Sequence, residues 1–237
     1  MKKLLIVLFL SVGVLSCNKK VDLSGEIINQ TIKTEDYTAV LNNSFARIEV
    51  DSTVSTNEIL LIGDKSLIDN LEIANKNGQL SITNKESLSF KGDNSQLLIK
   101  INNRNLQKLV IAGAGSFATN DVALTNDVEF HISGAGEINA KVNNNITHVS
   151  VTGAGSIRLK GVSNELKATM TGAGNLKAEE LTNKLANIEI SGAGSAKINT
   201  SEEINVRISG VGNLKYKEYD QLKIVKQISG IGNVKPY

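Results

Sequence analysis

The 237-residue chain has one cysteine, one proline, no tryptophan and only 4% aromatic residues. A single cysteine, Cys17, rules out an internal disulfide framework and any thiolate metal cluster. So few aromatic rings argue against base stacking, nothing in the overall charge argues for nucleic acid, and no nucleic-acid partner is expected. Without Lys2 and Lys3, basic and acidic residues balance at 24 each. Long helical runs are missing too. No stretch holds a 3.6-residue apolar period, and Asn, Thr, Ser and β-branched residues are abundant.

Glycine is present in a pattern. Gly-x-Gly begins at Gly113, Gly134, Gly153, Gly172, Gly192, Gly210 and Gly230, at intervals of 18 to 21 residues. A fixed period near 20 residues marks a stack of structural repeats, in which each repeat relies on its neighbours for a core. Two residues before each frame stand Ile111, Ile132, Val151, Met170, Ile190, Ile208 and Ile228. Four residues after it stand Phe117, Ile138, Ile157, Leu176, Ala196, Leu214 and Val234. Apolar residues alternating with polar ones predict half-buried strands. The glycines are expected to supply positive φ at a corner in every repeat. Short polar segments such as Asn143-Asn144-Asn145 and Ser163-Asn164 predict the opposite corner. The expected fold is all-β: a parallel β-helix or solenoid, right-handed by the crossover rule.

A small polar residue directly precedes most frames (Ser133, Thr152, Thr171, Ser191, Ser209 and Ser229), and this column is expected to hydrogen-bond along the stack. Residues 106–237 form the regular repeats, and 35–105 an irregular β lead-in that caps the first turn. Within it, Asn77-Gly78 between Leu71-Glu72-Ile73 and Leu80-Ser81-Ile82 predicts a hairpin. The far end shows no capping element, so end-to-end self-association stays open.

The N-terminus reads as a processing signal. Met1-Lys2-Lys3 precedes an apolar run, Leu4 to Val14, that is short for a membrane span and ends at Ser16-Cys17. Residues 1–16 thus resemble a bacterial lipoprotein signal. That resemblance implies lipidation of Cys17, with residues 17–34 as a lipid-anchored tether and the membrane as a partner.

Ser133-Gly-Ala-Gly-Glu137, Thr152-Gly-Ala-Gly-Ser156, Thr171-Gly-Ala-Gly-Asn175 and Ser209-Gly-Val-Gly-Asn213 resemble the head GIN domain family. So do Phe45-Ala-Arg-Ile-Glu-Val50, Gly78-Gln-Leu-Ser-Ile82 and Leu106-Gln-Lys-Leu-Val-Ile111. The similarity covers roughly residues 35 to 237. It implies a β-helical protein, secreted or lipid-anchored in the bacterial envelope and adhesin-like. It brings no catalytic residues.

The residues themselves offer little chemistry. Gly-x-Gly lacks the third glycine and the following helix of a dinucleotide site, and no cofactor or metal is expected. His148 and Glu129 should be neighbours on adjacent repeats, read as a surface charge pair. Asp127, Glu165 and Glu203 share a column that skips repeats, which places them too far apart for a retaining glycosidase but not for an inverting one. Polysaccharide lyases and hydrolases use β-helices, so a polysaccharide-active β-helix enzyme is the first alternative, resting mainly on fold analogy. A structural envelope protein is the second. The unusual column lies five residues after each frame: Ala118, Asn139, Arg158, Lys177, Lys197, Lys215 and Lys235. Five successive cations predict an outward stripe about 20 Å long. Either they splay into water and pair with acids such as Glu179, or they bind glycans or another anionic polymer. The expected function is non-enzymatic envelope binding at the outer membrane, with the periplasmic and surface faces both open.

Overall fold

Alternating apolar residues in the repeats form strands that lie in register on one another. A computed structural model describes residues 19–20, 23–86, 88–89 and 97–237. Its main body is a parallel β-solenoid of about six turns. In the middle turns the strands on the two sides of the opposite corner run into each other, giving the long bent strands Glu137–Val151, Ser156–Met170, Asn175–Ile190 and Ser195–Ile208. Each pairs parallel with the next. The two predicted apolar columns point inward: Phe117, Ile138, Ile157 and Leu176 on one side, Ile111, Ile132, Val151 and Met170 on the other, all at most 1% exposed. A single buried cluster runs from Tyr37 to Val234.

The frame glycines are needed for a different reason from the one expected. None of them has positive φ, which occurs only at Gly25, Gly78 and Gly161 and at Asn77 and Asn120 among the described residues. What the frames need is close stacking. A Cβ on Gly134 would lie 2.1 Å from the carbonyl oxygen of Gly113, and one on Gly172 would lie 2.0 Å from that of Gly153. The second glycine of each frame meets the preceding turn as well: a Cβ on Gly136 would lie 2.4 Å from Cγ2 of Ile111.

The hydrogen-bond ladder is also relocated. Ser133, Thr152, Thr171, Ser191, Ser209 and Ser229 are exposed, and their hydroxyls form no bond between turns among the described residues. Backbone amides stack there instead. The Ile111 carbonyl accepts from Ser133 N–H (3.1 Å) and Gly134 N–H (3.4 Å), and Ile132 O serves Thr152 and Gly153 alike. Side-chain ladders lie buried at the opposite corner. Thr147 Oγ1 lies 3.2 Å from Ser163 Oγ of the next turn, and Thr200 Oγ1 donates to Asn183 Oδ1 at 2.7 Å. Buried polar groups must find partners, and here they find one another.

The lead-in does not follow chain order. Ala39–Asn43 and Arg47–Val50 form a turn that stacks parallel beneath Lys108–Ile111 and Ser116–Leu124. Below it lie Gln79–Asn84 and Leu98–Ile101, again parallel. The chain therefore lays down one turn, drops below it to build the cap, and climbs back to continue the stack. The lower turn has no glycine frame. Asn42, fully buried at the position of Ile111, closes its corner by donating to Ala46 O (2.9 Å) and accepting from Ser44 N–H and Oγ–H.

Antiparallel strands finish this end. Ile27–Lys33 pairs with Glu58–Asp64, which pairs with Leu98–Ile101; Leu71–Lys76 pairs with Gln79–Asn84 through the Asn77-Gly78 turn. Ile27–Lys33 falls in the span expected to be tether, where its alternation is too weak to announce a strand. A one-turn helix, Lys65–Asp69, starts at the N-cap Asp64. At the other end Lys226 occupies an inward column, at the register position of Val206, and its Nζ reaches Val234 O at 3.3 Å across the last turn.

Candidate functional site

Register decides where the cations fall. Asn139 pairs with Arg158, Arg158 with Lys177, Lys177 with Lys197, Lys197 with Lys215 and Lys215 with Lys235. The five cations predicted from the sequence thus form one column, about 4.8 Å apart from turn to turn. Lys177, Lys215 and Lys235 are exposed; Arg158 and Lys197 are half-buried. Lys197 Nζ lies 3.8 Å from Glu179 Oε1, the acid named in the sequence reading. The other four have no carboxylate within 4.0 Å among the described residues.

Lys177, Lys197, Lys215 and Lys235 of this column form one wall of a groove of about 490 Å³. Two residues earlier on the same strands, and so on the same outward face, stand Asn175, Ser195, Asn213 and Asn233. Ser195 Oγ donates to Asn175 Oδ1 at 2.6 Å. The groove therefore offers amides and hydroxyls beside a line of positive charge. A second groove of about 290 Å³ adjoins it from Arg158 and adds Lys141 and Lys160, in register with each other. The sequence reading missed these two lysines, because a single inserted residue shifts their column in the next turn, where Lys160 faces Glu180 at 2.9 Å.

The remaining candidates separate. His148 is in register with Glu129, as expected from spacing, but the Glu129 carboxylate pairs with Lys108 at 3.0 Å instead. Glu165 and Glu203 are each in register with Leu185, which stands between them. Glu165 Oε1 accepts from Asn187 and its Oε2 faces Lys167. A hydrogen bond from Asn205 and one from Lys223 hold the Glu203 carboxyl below its usual range, the opposite of what a proton donor needs. No group of three or more metal-ligating side chains occurs among the described residues. No helix there is long and apolar enough to cross a membrane. Cys17 lies outside the described residues.

Fold comparison finds a structure from Bacteroides fragilis described as a putative adhesin, at 20% identity and TM-score 0.82, covering 92% of this chain and 100% of that one. A structure from Parabacteroides merdae, also described as a putative adhesin, matches at 20% identity and TM-score 0.69 over 92% and 99% of the two chains. One from Parabacteroides distasonis, described as a putative lipid binding protein, matches at 21% identity and TM-score 0.69 over 92% and 100%. At these identities the likeness is one of fold. No curated protein matches the sequence. The model of the family "putative auto-transporter adhesin, head GIN domain" matches residues 36–218, and the chain belongs to that family.

Proposed function

We propose that this protein is a non-enzymatic, adhesin-like binding module of the cell envelope that holds an acidic glycan along its lysine column. One observation carries this reading: a column of five cations on consecutive turns, four of which (Lys177, Lys197, Lys215 and Lys235) stand beside a parallel line of Asn and Ser in an open groove. Stacking like charges about 4.8 Å apart opposes folding by some tenths of a kcal/mol per pair. A polyanion laid along the column turns that repulsion into attraction, and the amides serve its hydroxyl groups. The ammonium groups and the amides beside them suit a charged sugar chain better than the acyl chain of a lipid.

Cys17 would carry the lipid that holds the module at the outer membrane. Two or more acyl chains anchor a protein stably where one does so only marginally. Incorporation of labelled fatty acid, lost in Cys17→Ser, tests the anchor. Protease treatment of intact and lysed cells then tells the surface face from the periplasmic one.

The binding test follows from magnitudes. One exposed ion pair contributes about 0 to 1 kcal/mol, so a single substitution would be hard to read. Lys177, Lys197 and Lys215 changed together to Glu should abolish binding of acidic glycans while the β signal in circular dichroism persists. Unchanged binding by that variant rejects the site.

A further inference from the structure

The middle of the lysine column differs from its ends. Lys197 Nζ is taken up on two sides, 3.8 Å from Glu179 Oε1 and 4.2 Å from the centre of the Tyr237 ring. Lys177 and Lys215, one turn away on either side, face the groove with no carboxylate partner among the described residues.

Glu179 reaches this place through an irregularity of its strand. Arg158 pairs with Lys177 but Lys160 pairs with Glu180, so Glu179 is an extra residue relative to the turn below. Bulges of this kind re-aim a side chain, and this one lines the groove. Its Oε2 is buried and has no hydrogen-bond partner among the described residues. A carboxylate oxygen left in that state attracts donors and repels a second negative charge. The stripe is therefore broken: positive at Lys177, compensated with an acceptor at Lys197 and Glu179, positive again at Lys215.

We infer that the groove selects acidic glycans whose charges are interrupted, with acidic sugars at the Lys177 and Lys215 turns and a neutral sugar between them. This rests on the acidic-glycan reading proposed above. Lys177 and Lys215 are two turns, about 10 Å, apart. A linear polymer with one carboxylate per disaccharide follows that spacing. A polymer with a carboxylate on every sugar brings one of them against Glu179.

The test compares two probes of equal length by calorimetric titration: oligogalacturonate, charged on every sugar, and hyaluronan oligosaccharide, charged on every second sugar. Glu179→Gln should bind oligogalacturonate about fivefold more tightly than the wild type, the size of one partly screened charge contact. Its affinity for the hyaluronan probe should change by less than about twofold. Glu129→Gln, whose carboxylate pairs with Lys108 away from both grooves, should alter neither. An equal change for both probes in Glu179→Gln, or no change in either, overturns the selection by Glu179. Failure of the wild type to bind either probe overturns the acidic-glycan reading itself.

Discussion

Gly153 lies so close to the turn beneath it that a Cβ there would sit 2.0 Å from the carbonyl oxygen of Gly134. The obstacle is backbone, which cannot swing aside as a side chain can. Gly153→Ala is therefore expected to cost about 3 kcal/mol, the upper part of the range for overpacking. Gly78 makes the contrast. It has φ of 75° but open space around it, so Gly78→Ala should cost only about 1 kcal/mol. Urea unfolding of the two variants should rank them in that order, and equal midpoints would reject the steric account of the frames.

Asp64 ties Ser24 and Gly25, in the span before the lead-in, to the cap. Its carboxylate accepts from Ser24 N–H and Oγ–H, Gly25 N–H, and Ser66 N–H and Oγ–H. Burial pushes its pKa up, but the hydrogen bonds from Ser66 and Ser24 outweigh this and hold it well below the usual carboxylate range. A carboxyl depressed in this way contributes its stability fully above its unfolded pKa, about 3.9. It loses that contribution as the pH falls further, through the folded value. Melting temperature should fall between about pH 4 and pH 2 in the wild type. Asp64→Asn should start about 2 kcal/mol less stable at pH 7 and show a shallower acid decline.

Lys226 places an ammonium group over the open end of the core, where every preceding turn from Leu109 to Val206 has an apolar residue. A second edge docking there would have to bury that charge. Lys226→Val should make the protein associate with rising concentration, as read by light scattering after size exclusion. A wild type and variant of equal mass at every concentration would show that the lysine does not guard this end.

Binding to the lysine column should weaken steeply with salt. Screening lengths fall from about 10 Å at 0.1 M to about 3 Å at 1 M, so exposed contacts of this kind should be largely lost at the higher value. Affinity for an acidic oligosaccharide that is unchanged between these salt concentrations would point to a binding site elsewhere.

The solenoid was legible because its causes are periodic. The inward columns through Ile132 and Ile138, the frames and the cation column repeat at one spacing, and strand register then aligns them. The glycines were found but misattributed, since sequence shows that a position requires glycine and not whether φ or a neighbouring carbonyl imposes it. The lower turn at Asn42 was hidden because side-chain hydrogen bonds replace the frame there. Its place under Lys108–Ile111 depends on a 57-residue detour between Val50 and Lys108 that no local pattern encodes. Glu179 was legible as a partner of the cations, but its place as an extra residue was not: one inserted residue changes which columns meet, and only the paired strands show where it falls.

The most direct test of the binding face is a lysine acetylation footprint read by mass spectrometry, with and without a saturating acidic polysaccharide. The account predicts protection at Lys177, Lys215 and Lys235, and unchanged labelling at Lys108, Lys167 and Lys223 on the strands that lead into the frames. Protection of the second group, or protection spread evenly over both, would contradict it.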